Sequence, residues 1–407
     1  MPTVELNKRS SISTGRLHSL DALRGFDMWW IVCGEGIFHG LSGAIKDKYG
    51  LVQSNVDWQI RGEAPMNLLE RSLIGISNQL HHSVWNGFTF YDLIFPLFIF
   101  IAGVSMPYSM GKQLDKAGTD KTAARQAILH SLFKRTIVLL LLGMLVNGAL
   151  QLNGYEKTRF ASVLGRIALG CLGGALIYLY VPGKKIVYWI TGILLAYWAL
   201  LYLIPVPGYG AGVITPEGNI TAWFDRNFLP GKLHRKVYDP EGLLSSIPAV
   251  ASALLGVLCG QYIRSSAQKG FSAGQALYLF GTGLVLLLSG WLWNLVFPVN
   301  KILWSSSYVL VAGGWSMMVL ALFYYIIDVK GFRRWSLPLV WIGTNSILIY
   351  VAAHGLVNFE STAQFLFGGF ISLSPVAWHP ALLWTGVGLI QLAGLYILYR
   401  NRLFWKV

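Results

Sequence analysis

The chain is poor in charge. Only 12% of its 407 residues are Asp, Glu, Lys or Arg, about half of what a soluble protein of this size carries, which excludes an ordinary water-soluble globule. Cysteine is scarce as well. Cys33, Cys171 and Cys259 all lie inside apolar segments, and an odd number so placed builds neither a disulfide framework nor a metal site. They read as small packing residues. There is no Walker A loop, no G-x-S-x-G and no H-E-x-x-H. The adjacent His81 and His82 lack a second ligand pair at helical spacing, so no metal is expected. No internal repeat is evident, and the inverted-repeat pattern of many transporters is missing. The first twenty residues are polar, so no cleavable signal peptide is expected and the first apolar run should be a retained helix.

What the chain does have is apolar and aromatic. Hydrophobic residues make up 54% of it, with 16 Trp, 19 Tyr and 45 Gly and a mean hydropathy of +0.53. Interfacial aromatic belts and close helix packing account for that composition. The fold class is therefore an all-α polytopic membrane protein whose partner is the lipid bilayer. The net charge of +14 is dispersed over short loops, without a basic arm or an aromatic-rich basic patch, so no nucleic acid is expected. Positive-inside topology accounts for it instead.

Hydropathy predicts about ten transmembrane helices in one bundle, near 23–42, 90–110, 129–150, 161–181, 185–205, 244–264, 275–296, 304–327, 338–357 and 380–399. The whole of 23–399 reads as one transmembrane domain, with 1–22 and 400–407 as cytoplasmic ends. Of the 32 Lys and Arg, 20 fall on the inner segments: Lys8, Arg9, Arg16, Arg24, Lys112, Lys116, Lys121, Arg125, Lys134, Arg135, Lys184, Lys185, Arg264, Lys269, Lys330, Arg333, Arg334, Arg400, Arg402 and Lys406. That bias puts both termini in the cytoplasm. The two long outer connections, near 43–89 and 206–243, show no strong periodicity and are of a length that is often functional.

Polar groups stand where a membrane disfavours them. The densest stretch runs from His81 to Met106, where His81, His82, Trp85, Asn86 and Asp92 lead directly into Leu93–Gly111, a run without a charged residue. Asn86-Gly87 predicts a tight turn that folds His82 back towards the bundle. An imidazole there can serve as general base or transient acyl acceptor, while His81 should point elsewhere. The first helix carries Asp27, Glu35 and His39. Glu35 and His39, four apart, share a face: they could pair only with each other, or Glu35 could orient His82. Asp27 is expected to cap or to pair with a nearby Arg. Asn345 lies near mid-membrane and His354 nine residues on; an interhelical hydrogen bond or a substrate contact would suit Asn345. Asp239 and Glu241 precede the sixth span from outside, where they could cap a helix or bind a cationic amine or sugar hydroxyls. On the predicted topology His82, Asp92, Asp239, Glu241 and His354 fall at the outer half, with Glu35 deeper, and converge on one polar cavity opening outwards.

The pattern R-L-H-S-L-D-A-L-R-G (Arg16–Gly25), followed by H-x-x-W-N-G-F-T-x-x-D-L-I-F-P (His82–Pro96), resembles the heparan-α-glucosaminide N-acetyltransferase family within the wider transmembrane acyltransferase superfamily. Val163–Leu169, Tyr238–Leu244, Asn300–Val309, Ile327–Gly331 and Thr344–His354 extend the likeness over nearly the whole chain. The resemblance implies acetyl transfer from cytoplasmic acetyl-CoA to the amine of a terminal glucosamine beyond the membrane. It places the active-site histidine on His82 and further site residues on Asn345 and His354. Lysosomal members have Asn where Glu35 aligns, and this chain is expected to lack their luminal domain.

The function expected is therefore membrane acetyl transfer in a bacterial cytoplasmic membrane. His82 and Glu35 would be catalytic. Asn86, Asp92, Asp239, Glu241, Asn345 and His354 would bind an amino-sugar or glycan acceptor, and Arg24, Lys134 and Arg135 would hold the phosphates of acetyl-CoA. A homodimer is one assembly open to such a chain. A transporter or flippase for a sugar or lipid-linked intermediate, or a polysaccharide O-acetyltransferase, would use the same intramembrane charges.

Overall fold

The computed structural model describes residues 17–51, 65–152, 154–267 and 270–405. Lys8, Arg9, Arg16, Lys269, Lys406 and part of the 43–89 connection lie outside the described residues. Apart from two isolated β-bridges, the regular structure described is helical: α1 His18–Trp29, α2 Glu35–Lys48, α3 Leu68–Gln79, α4 Phe90–Lys116, α5 Thr122–Val146, α6 Val163–Tyr180, α7 Ile186–Leu203, α8 Ile220–Phe228, α9 Ile247–Ala267, α10 Ala273–Trp293, α11 Ser306–Phe323, α12 Leu337–Thr344, α13 Ser346–Val351, α14 Phe359–Ile371 and α15 His379–Arg400.

All ten predicted segments are helical. Among the described residues eight helices are long and apolar enough to cross a membrane, or nine if α12 and α13 form one span bent by 64°. The segment at 23–42 falls outside that count. It lies within α1 and α2, which a π-turn at Trp30–Gly34 joins, and it carries Asp27, Glu35 and His39. The chain is an integral, multi-pass helical membrane protein.

Burial sorts the spans into two sets. Inside are α4 (78% of its apolar window buried), the span Leu244–Ser266 (72%), Ser306–Val329 (61%) and α6 (56%), while α5, α7, α10 and α15 bury only 22–33%. The outer set turns Leu141, Leu195, Leu277, Leu292 and Ile397 outwards, as lipid-facing helices do. Lipid tails are as apolar as Leu, so the inner helices associate through close packing, and glycines permit it. An added Cβ on Gly103 would lie 2.0 Å from the Ala253 carbonyl oxygen, and one on Gly256 would lie 2.0 Å from that of Phe100. The motif glycine Gly25 repeats this pattern. Its Cβ would meet the Leu339 oxygen at 1.7 Å, and one on Gly343 would meet the Asp21 oxygen at 1.9 Å. Thus α1 and α12 touch backbone to backbone.

Three predicted details are corrected. The outer connections contain helices: α3, started by a reciprocal Asn67–Glu70 capping box, and α8, capped by Asn219. The ninth segment is not one rod. Asn345 breaks it, leaving the helical region at φ −129°, ψ 33°. A further helix, α14, lies between the last two spans, and its 13 residues are too few to cross a bilayer.

Candidate active site

Local sequence fixes the centre of the site. Thr89 is the N-cap of α4, and Asp92, three residues on, completes a capping box. One carboxylate oxygen of Asp92, Oδ2, accepts from the backbone N–H groups of Ser83 and Thr89, both at 3.2 Å, and from their hydroxyls at 2.8 and 3.1 Å. The other, Oδ1, is left for His82, whose Nδ1 lies 2.9 Å away. A carboxylate only accepts, so Nδ1 carries a proton, and in the neutral imidazole the lone pair is on Nε2. Asp92 is fully buried while the His82 side chain is 51% exposed.

The predicted Asn-Gly turn is present, with Gly87 at φ +123° and its N–H donating to the Val299 carbonyl at 2.8 Å. Asn86 Oδ1 accepts from Asn300 Nδ2 at 3.1 Å, and the Trp85 indole donates to the Ile214 carbonyl at 3.0 Å. The turn therefore clamps two distant loops onto the histidine. That is an architectural position for Asn86, where a substrate contact was expected.

A cavity of about 540 Å³ opens beside His82, lined also by Asp92, Arg159, Arg166, Glu241 and Lys301. Arg159 grips Asp239 through Nε at 2.9 Å and Nη2 at 2.6 Å and also binds Glu241. Burial opposes the charge on Arg159, but the two carboxylates outweigh it and hold its pKa above the ordinary value. Asp239 behaves as the mirror image. Burial opposes its ionisation, yet Arg159 and the backbone N–H groups of Glu241 and His234 hold its pKa below the usual range. The expected pair of free acids is thus largely neutralised, and only Glu241 faces the cavity. Arg166, 2% exposed, lies 4.9 Å over the Trp304 ring and donates to the Ser245 hydroxyl.

The other predicted site residues are placed elsewhere. Glu35 does not touch His82. Its carboxylate accepts from the Tyr91 hydroxyl and lies 3.5 Å from His39 Nε2, lining a separate cavity of about 770 Å³ that reaches Trp384. The link to His82 is indirect, since the Tyr91 ring lies 4.7 Å from the imidazole. His81 turns away, stacking on His39 at 4.3 Å. Asn345 is 1% exposed and is consumed by the chain end, donating to the Leu403 carbonyl at 3.0 Å and accepting from Trp405 N–H at 2.9 Å. His354 is exposed, with Nδ1 bound to the Tyr350 carbonyl at 3.0 Å. Neither lines the His82 cavity. Arg24 lies 3.1 Å from the Ser105 hydroxyl and 3.5 Å from Asp21, while Lys134 and Arg135 are exposed on α5. Asp27 is fully buried and neither caps nor pairs: both carboxylate oxygens lack a hydrogen-bond partner among the described residues.

Sequence reasoning assigned no role to Arg159, Arg166 or Lys301. Two signals were available, the Arg inside the apolar run Val163–Tyr180 and the Lys that is the one charge in the largely apolar stretch 295–304, because isolated charge in such surroundings marks function.

A carboxylate-held imidazole at the mouth of a helical bundle, beside a charged cavity, defines a multi-pass membrane protein with a site suited to acid–base or acyl-transfer chemistry. Residues 71–287 match the family model described as heparan-alpha-glucosaminide N-acetyltransferase, catalytic. That stretch is more than half of the chain, and the chain belongs to this family. It is 27% identical over 388 residues to the heparan-alpha-glucosaminide N-acetyltransferase of Mus musculus, covering 80% of this chain and 56% of the relative. It is 28% identical over 383 residues to that of Homo sapiens, covering 80% and 55%. The chain thus spans about half the length of the curated relatives it matches.

Proposed function

We propose that this chain is an acetyltransferase that moves acetyl from cytoplasmic acetyl-CoA to the amine of a glucosamine-type sugar at the outer side of the membrane. The observation that carries the reading is the His82–Asp92 pair beside the 540 Å³ cavity, in a chain of this family. The bias of Lys and Arg supports cytoplasmic termini.

Asp92 fixes the tautomer that leaves His82 Nε2 free. Nε2 takes a proton from the acceptor amine as its nitrogen bonds to the thioester carbon. It then returns that proton to the departing CoA sulfur. An amine that arrives as ammonium first releases one further proton to solvent. Glu241 faces the acceptor, while Asp239, bound to Arg159 and two backbone N–H groups, holds the loop that carries it. The basic residues Arg24, Lys134 and Arg135 suit the CoA phosphates as charge-assisted partners.

The test is acetyl transfer by protein purified in detergent or nanodiscs, with radiolabelled acetyl-CoA and glucosamine or a glucosamine-ended oligosaccharide, alongside equilibrium binding of acetyl-CoA. Labelled N-acetyl product is expected. A protein that binds no acetyl-CoA in any lipid would overturn the reading in favour of a transporter.

A further inference from the structure

The acid–base reading leaves one group beside His82 without a task. Lys301 lies in the connection between α10 and α11, and its Nζ is 3.0 Å from His82 Nδ1 and 3.1 Å from Nε2. A cation nearly equidistant from both ring nitrogens cannot sit in the imidazole plane, because it would overlap the carbon between them. It sits over the ring face. Among the described residues its remaining polar contact is Asp92 Oδ1 at 3.6 Å, and its side chain is 16% exposed. An ammonium has three N–H donors, and a ring face and a distant carboxylate do not use them all, so at least one is left for an occupant of the cavity that Lys301 lines.

The loop is built to hold that position. Asn300, fully buried, accepts from Leu303 N–H at 2.8 Å, donates its own N–H to Ser305 Oγ at 3.0 Å, and reaches Asn86 across the site. Trp304, also fully buried, takes a left-handed backbone at φ +51°, and its indole donates to Ser252 Oγ at 3.1 Å. Lys301 is thus anchored on both sides in sequence, the preorganisation that electrostatic catalysis needs.

We propose that Lys301 is a second catalytic residue, whose ammonium stabilises the oxyanion of the tetrahedral intermediate in acetyl transfer. The inference rests on the acetyltransferase reading above. As the amine nitrogen bonds to the thioester carbon, the carbonyl π pair moves onto oxygen, beside Lys301, and the amine proton goes to His82 Nε2. When that pair re-forms the carbonyl, the C–S bond breaks with its electrons on sulfur, and His82 returns the proton there. A charge that appears only in the intermediate is where a fixed cation gains most for the rate.

The ammonium must stay protonated to act. Burial lowers the Lys301 pKa, opposed by Asp92 of α4 and by Glu241, and Arg166 of α6 works in the same direction as burial. His82, Arg159, His234, Arg235 and Tyr238 are the other titratable groups that line the same space.

The experiment compares wild type, Lys301→Met and Lys301→Arg in the transfer assay across pH, with acetyl-CoA affinity and Tm measured on each. Lys301→Met should lower kcat by about 10²–10³-fold with donor affinity unchanged. Lys301→Arg should recover much of kcat and lose the decline at high pH, because a guanidinium stays charged. If Lys301→Met fails to fold, Lys301→Gln gives the same comparison. A kcat in the neutral variants close to wild type would overturn the proposal, as would an arginine variant as slow as the neutral ones. An inactive wild type would instead sink the acetyltransferase reading itself, so the two failures are distinguishable.

Discussion

His82 and Asp92 stand ten residues apart and meet at 2.9 Å through a helix start. Oδ2 of Asp92 is spent on Ser83 and Thr89 in capping α4, which aims Oδ1 at the imidazole. One carboxylate therefore begins the most buried of the described spans and holds the His82 imidazole. Because capping fixes its rotamer, the histidine is oriented by the same interaction that starts the helix.

That double use sets the first prediction. His82→Ala should lower kcat by at least about 10²-fold while acetyl-CoA binding and Tm stay near wild type. Asp92→Asn should lose activity to a similar degree and also lower stability by the cost of a cap, on the order of 1 kcal/mol, read as a lower Tm. Glu35→Gln, which breaks only the links to Tyr91 and His39, should cost much less than either. Equal losses in Glu35→Gln and Asp92→Asn would show that the orienting carboxylate has been misassigned.

A stability prediction concerns Asp225 on α8. Its carboxylate is 1% exposed and accepts from Leu243 N–H at 3.0 Å, and burial pushes its pKa up to about 7. A folded pKa above the unfolded one means the folded state holds the proton more tightly. Stability should thus be fullest below about pH 4 and fall by on the order of 1.4 kcal/mol per pH unit between about 4 and 7. Asp225→Asn, which can still accept from Leu243, should raise Tm at pH 8 and change it little at pH 4. Thermal melts at the two pH values give the comparison, and a gain of equal size at both would refute the assignment.

Close backbone contact between α1 and α12 makes Gly343 intolerant of a side chain. A Cβ there would lie 1.9 Å from a backbone oxygen, so Gly343→Ala must push the helices apart, at a cost of about 1–3 kcal/mol or more. Gly281, with open space around its Cβ position, is the control. A melt in which both alanine variants match wild type would show that the two helices are not so closely joined.

On the donor side, Arg135→Ala should weaken acetyl-CoA binding and leave acceptor KM unchanged, since a phosphate contact acts on the donor alone. Titration of acetyl-CoA into the variant reads this directly. Unchanged donor affinity would place the nucleotide away from this part of α5.

The sequence by itself determined the membrane class and the position of all ten helical segments, because charge depletion and hydropathy are local and additive along a chain. It also singled out His82, since the Asn-Gly turn and the start of α4 are local signals. What only the tertiary structure decided is which charge meets which. Asp92 rather than Glu35 reached the histidine because capping geometry, not spacing, aimed it. Asp239 and Glu241 suited a helix cap or a ligand contact in the sequence, and only the fold brought Arg159, some 80 residues earlier, onto them. Asn345 was drawn to the chain end, and Lys301, more than 200 residues from His82, entered the site through the packing of α10 and α11. Pairings of this kind depend on interhelical approach, and that is set by small residues such as Gly103, Gly256 and Gly343, whose contacts no one-dimensional pattern specifies.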